Sequence, residues 1–164
     1  MSRPDPATRV SLPELYAADL QRWEGRKVRT VGILTAADPA SAVGVLAFQR
    51  AAIVLDLSLC MEEGNFLPRL KTKLDCIGDV ERVDVEAAMI ANSLLDAHVA
   101  AIPRPAPRVG GPSTSSQAPD HGPSEIAPLV LRCIHFRNVD DLDLRAWNDA
   151  AEVLQSHIPA GQGS

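Results

Sequence analysis

Aromatic side chains are scarce in this sequence, at 4% of residues against 46% hydrophobic overall. A core is therefore possible, but it has to be built from Val, Leu, Ile and Ala. Positive charge is also in short supply: the formal net charge is −5. Proteins hold nucleic acid without sequence preference by letting Lys and Arg displace its counterions. An acidic chain can do this only through a local basic patch or with a partner. The cysteines are Cys60, Cys76 and Cys133, an odd number with no CxxC pair. They argue for reduced thiols in an intracellular compartment. No apolar run approaches the roughly 20 residues that span a bilayer. Met1 to Val10 holds two prolines and no apolar stretch, unlike a secretory signal.

Catalytic signatures are missing too. His98, His121, His135 and His157 are scattered, and none forms HxxxH or stands at ligand spacing from a cysteine. There is no P-loop, GxSxG or GxGxxG. Cys60 and His135 would have to meet in space to form a nucleophile and base, while Cys76 and Cys133 fall on strand faces that look buried. The reading is a non-enzymatic protein without metal or cofactor.

What is present is a run of short strands. Arg26–Thr35 is rich in Val, Ile and Thr, with Gly32 in its middle, where a strand bulges or bends. Val43–Gln49 reads as a second strand. Ile53, Leu55, Leu57 and Leu59 alternate with Val54, Asp56 and Ser58, a third strand with one buried face. Phe66–Leu70 is short and apolar, placed to cover one end of the sheet. Lys73–Val83 is a fourth strand, with Leu74, Cys76, Gly78 and Val80 on one face. Pro128–Arg137 is the fifth.

Helical periods appear at three places. Ser11–Tyr16 reads as a helical turn or a loop that tucks Leu12, Leu15 and Tyr16 against the core. Val85–Ile102 is alanine-rich with apolar residues at helical spacing. Leu144–Ile158 is a terminal helix stopped by Pro159. Between the last two, Pro103–Ile126 is more than half Pro, Gly and Ser, so it cannot offset its ordering entropy by burial and is expected to be disordered.

The expected organisation is a flexible stretch 1–10, one domain over 11–158 interrupted by an insertion over 84–126, and a flexible tail 159–164. Its class is mainly β: a five-stranded OB-fold barrel with a C-terminal α-helix and an inserted helix plus disordered linker. A ubiquitin-like or SH3-like barrel is the alternative, but neither needs the terminal helix.

In the terminal helix Leu144, Trp147, Ala151, Leu154 and Ile158 recur at spacings of three and four, a seam of coiled-coil type. Ala146, Ala150 and Val153 form a second stripe beside it. The pattern alone leaves open whether the seam packs on the barrel or on another chain. Asp140, Asp141, Asp143, Asp149 and Glu152 face only Arg145. The acids at the start suit a helix N-terminus, and the group makes this end a poor surface for DNA. The candidate DNA contacts are Arg26, Lys27, Arg29, Lys71, Lys73, Arg132 and Arg137, each of which also reads as a plain solvated charge. Phe48 and Phe136 are the strand aromatics, few for the stacking platforms that single strands use.

Two segments carry a resemblance. GRKVRTVGIL, from Gly25 to Leu34, looks like the first strand of the smallest subunit of the CST telomere-capping complex, the Ten-one family. RNVDDLDLRAWNDAAEVLQSHI, from Arg137 to Ile158, resembles its terminal turn and helix, and LPELY and CIGDVE also fit. The resemblance covers most of 11–83 and 127–158. It implies an OB barrel, a nuclear, telomeric location and a heterodimer with the larger OB subunit, Stn-one, through the terminal helix. The third, large CST subunit would be reached indirectly, and single-stranded DNA weakly or through the complex, with no membrane involved. On this reading the seam is the partner site, exposed in the free chain, with Trp147 its anchor. The rivals are the small subunit of replication protein A and, from another class, a stand-alone barrel for a peptide or small ligand, which would pack the helix wholly on itself.

Overall fold

A computed structural model describes residues 6–17, 20–62, 66–101 and 129–157; the expectations for the linker 103–126, for Ile158 and for the tail 159–164 lie outside them. The chain begins with β1 (Thr8–Arg9), α1 (Leu12–Ala17) and α2 (Leu20–Trp23). Then follow β2 (Lys27–Asp38), β3 (Val43–Phe48), β4 (Ala51–Asp56), α3 (Ser58–Glu62), β5 (Lys73–Arg82), α4 (Val85–Ala101), β6 (Leu129–Asn138) and α5 (Leu144–Ser156).

Strands β2 to β6 close into a ring. β2 pairs antiparallel with β3, β3 with β4, β4 runs parallel to β6, β6 is antiparallel to β5, and β5 returns to β2. This is the OB barrel, mainly β, with β1 added in parallel beside β2. Closure leaves the ring without a free edge. It depends on the length of β2, whose residues from Lys27 to Ile33 pair with β5 and from Ile33 to Asp38 with β3. Gly32 stands at the handover, where a Cβ would lie 2.8 Å from Leu46 Cγ. The bend expected in this strand is real: glycine admits the close approach, and a bulge follows between Leu34 and Ala36.

Alternation builds the core. Val28, Leu34, Leu46, Ile53, Leu55, Leu74, Val80 and Leu131 point into the barrel, plugged by Leu12 and Leu15 of α1 and by Trp23. A second apolar layer lies outside it. Ile90, Ala91 and Leu94 of α4 pack on Ala36, Val43, Val45, Ala47, Ala52 and Val54, with Val83 and Val130. All three cysteines are buried and none is in a disulfide. The Cys60 thiol donates to the Cys133 carbonyl at 3.2 Å. The neighbouring Cys76 thiol, and then burial, push the Cys133 thiol far above its ordinary value, so Cys133 is an inert core group.

Two expectations are corrected. The third strand does not run to Leu59. It ends at Asp56, whose Oδ1 accepts from the Ser58 amide and hydroxyl and starts α3. The alternation from Leu57 to Leu59 was apolar spacing that a helical turn satisfies as well. Nor does Phe66–Leu70 cover the sheet as a unit: Phe66 is 92% exposed, and only Leu67 of the segment's apolar residues packs on the core.

Candidate functional site

The terminal helix is well started. Asp143 is its N-cap, accepting from the amides of Arg145 and Ala146, an arrangement worth about 1 kcal/mol. Asp140 accepts from the Lys73 amide at 3.0 Å. That bond, then Asn138, hold its carboxyl below the ordinary value. Two of the acids before the helix are thus turn and cap groups.

α5 reaches its own barrel through one face. Leu144, Asn148 and Ala151 are buried. Asn148 Oδ1 accepts from the Leu12 amide at 2.9 Å, and its Nδ2 donates to the Leu144 carbonyl at 2.8 Å. On either side, Ser11 Oγ donates to Glu152 at 3.1 Å, and Gln155 Nε2 donates to the Arg9 carbonyl at 2.7 Å. The helix is therefore bolted to the β1–α1 segment by side-chain hydrogen bonds. Asn148 was not among the residues singled out from sequence. Its signal was a polar residue set four after Leu144 and three before Ala151, inside an apolar stripe.

This corrects the idea of a single seam exposed in the free chain. Leu144 and Ala151 are committed to the barrel, Trp147 is half-buried, and Leu154 is 51% exposed. Ala146, Ala150 and Val153, the last 57% exposed, flank Trp147 and Leu154 on the solvent side. At about 100° per residue, Ala146, Trp147, Ala150, Val153 and Leu154 make one continuous apolar stripe. It lies beside the buried face and away from Arg145, Asp149 and Glu152.

The topology gathers five of the seven selected cations on one surface, the outer face of β2, β5 and β6. Lys27 and Arg29 come from β2, Lys73 from β5, and Arg132 and Arg137 from β6. A bulge decides this. Ile77 faces His135 but Gly78 faces Cys133, so Ile134 is an extra residue and the side-chain alternation of β6 reverses there. Without it Arg132 and Arg137 would lie on opposite faces. Gly78 admits the bulge, since a Cβ there would run into the Arg132 carbonyl.

At the centre sits Asp75, only 4% exposed at its side chain. Arg29 grips it through Nε at 2.9 Å and a terminal nitrogen at 2.6 Å, and Arg137 donates Nε at 2.9 Å. Burial opposes the charge on Asp75, but the two arginines outweigh it and hold the carboxyl below its ordinary value. Arg29, Asp75, Ile77, His135 and Arg137 line a cavity of about 190 Å³. The remaining cations are engaged differently. Arg132 pairs with Glu81, Lys73 Nζ donates to the Leu142 carbonyl, and Arg26 lies 6.0 Å from the Trp23 ring centre. Lys71 is exposed in the loop before β5. Cys60 and His135 do not meet: the thiol is inside the barrel, while His135 lines the surface cavity. Among the described residues no group of His, Cys, Asp and Glu is arranged to hold a metal ion, and no helix is long and apolar enough to cross a membrane.

These features define an OB-barrel protein with a terminal helix that is only partly used by its own domain. No protein-family model and no curated protein matches the sequence. Solved structures do match the fold. The chain is similar to a chain in the crystal structure of the S. pombe Stn1-Ten1 complex, at 10% identity and a TM-score of 0.55, covering 94% of this chain and 97% of that chain. It is also similar to the telomere capping protein Ten1 of S. pombe, at 9% identity and a TM-score of 0.52, covering 92% and 99%. The fold is that of Ten1, over almost its whole length.

Proposed function

We propose that this chain is the small OB subunit of a CST-type telomere-capping assembly and works by pairing with a larger, Stn1-like OB subunit through α5. The observation that carries this is the apolar stripe of Trp147, Ala150 and Leu154, with Ala146 and Val153. It belongs to a rigidly docked helix on a barrel with the Ten1 fold. Contiguous exposed apolar surface on a small domain marks a docking site, and Trp is the residue type most enriched among interface anchors. Leu144 and Ala151, by contrast, hold α5 in place; they shape the site without facing the partner. A stand-alone barrel would have packed the helix wholly on itself, and this one leaves a full side open.

In this role the chain is an assembly element, acting at telomeres in the nucleus. It gives the larger subunit a stable surface, reaches the third subunit through it, and supports single-stranded DNA binding mainly held by the partner. The test is co-expression with the larger OB subunit of the same source. Trp147→Ala should weaken pairing by about 30- to 1000-fold, the range of hot-spot truncations of about 2 to 4 kcal/mol. Leu154→Glu should abolish pairing, while both variants keep the urea midpoint of the free chain close to the parent's. Loss of monomer stability with pairing per folded molecule unchanged would place the interface elsewhere.

A further inference from the structure

OB barrels take single strands on the outer face of their second and third strands, which here are β3 and β4. In this chain that face is closed. α4 lies across it, with Ile90, Ala91 and Leu94 seated on Val43, Val45, Ala47, Ala52 and Val54. Among the described residues the side chains packed between α4 and the sheet include neither a cation nor an aromatic ring, the two components of a single-strand groove. α4 is not needed as a connection either. Arg82 and Leu129 are direct cross-strand partners, so a tight turn would suffice to join β5 to β6. On its solvent side the helix shows Glu86 and Asp96, which repel phosphate.

The opposite face has the reverse character. Lys27, Arg29, Lys73, Arg132 and Arg137 outnumber Asp75, Asp79 and Glu81 there, in a chain of formal charge −5. Asp75 orients both of its arginines from a nearly buried position, so their charges are held in place before any ligand arrives. Arg137 is 60% exposed, and its terminal nitrogens have no other partner among the described residues. They border the cavity that Ile77 and His135 complete. A guanidinium fixed through Nε and open at its other nitrogens suits a phosphate oxygen.

We infer that single-stranded DNA runs along the outer face of β2, β5 and β6, with Arg29 and Arg137 around Asp75 as the phosphate anchor, while α4 keeps it off the usual face. This rests on the reading of the chain as a subunit of a single-strand-binding assembly. It predicts a phosphate-led, sequence-tolerant contact of low affinity.

The experiment uses the full chain and a fluorescent oligothymidylate of about 12 nucleotides at low salt, followed by anisotropy and by hydrogen-exchange footprinting. The double variant Lys27→Glu, Arg132→Glu leaves the Asp75 cluster intact. It should lower affinity about tenfold or more and reduce the slope of log K against log salt by about 1.4, two single-strand phosphate contacts. Arg137→Gln should weaken binding several-fold with the fold retained. Val85→Lys and Met89→Lys, which add positive charge to α4, should leave affinity within about twofold. Protection on α4, β3 and β4, or tightening by the α4 lysines, overturns the inference while leaving DNA support by this chain intact. No binding by the parent at low salt overturns direct contact altogether. The pairing assay with Leu154→Glu then reports on the assembly reading independently.

Discussion

α4 and α5 both ride on the barrel, and they are held by different physics. α4 is joined to it through apolar contact: Ile90, Ala91 and Leu94 meet a sheet face of Val and Ala. Its named side-chain hydrogen bond is its own cap, from the Ala87 amide to Asp84. α5 buries only Leu144 and Ala151 beside Asn148, but hydrogen bonds from Asn148, Glu152 and Gln155 tie it to residues 9–12. Apolar contact is non-directional, so α4's seat stabilises without demanding one orientation. Directional bonds fix an orientation, and that is what a surface offered to another protein requires. The helix with the fewer apolar contacts is thus the one whose outward stripe has a defined position.

The comparison can be broken at its strongest point first. Ala91 is fully buried between α4 and the sheet. Ala91→Glu puts an unpaired charge there and should cost about 3 to 5 kcal/mol, or release α4 altogether. Urea melts, with hydrogen exchange at β3 and β4, separate the two outcomes. A loss below about 1 kcal/mol with α4 still protected would show that the helix is not packed this way.

Asn148→Ala should cost about 1 to 3 kcal/mol, because it leaves the buried Leu12 amide without its acceptor. It should also loosen α5 more than α4, a selectivity that exchange rates of the two helices would reveal. The Asp75 cluster sharpens the contrast from the sheet side. The Asp75 carboxyl titrates below its ordinary value in the folded chain because Arg29 and Arg137 hold its charge, so its contribution is present above that ordinary value. It is lost as pH falls through the lower folded one. Asp75→Asn should flatten the stability–pH curve in that acid window, measured by thermal melts between about pH 5 and pH 2. The smallest effect on the free chain belongs to Leu154→Glu, at about 0.5 kcal/mol or less, on the face where the proposed interface effect is largest.

Much of the barrel was legible because its strands obey a period of two and are punctuated by turn residues. Val43–Phe48 and Lys73–Arg82 fall almost where alternation puts them. The stretch after Asp56 misled because Leu57, Leu59 and Met61 satisfy two periods over so short a run. Only the Asp56–Ser58 hydrogen bonds decide for a helix. The terminal helix was legible as a helix with two apolar stripes, and the acids before it as suited to its N-terminus. Which stripe meets the barrel was not, since spacing of three and four describes a seam without naming the surface opposite it.

The amino-acid order by itself marked the five strands of the ring, the longer helices α4 and α5, the insertion's place between two of the strands, and an acidic chain with few rings to stack on bases. Tertiary structure decided the rest. Ring closure made β4 and β6 parallel neighbours. Packing committed Leu144 and Ala151 inward and left Trp147 and Leu154 at the surface. One inserted residue, Ile134, reversed the alternation of β6 and brought Arg132 and Arg137 to the same face. Periodicity is a local property of the chain, whereas partnership between faces and the register of paired strands are settled only when distant segments meet.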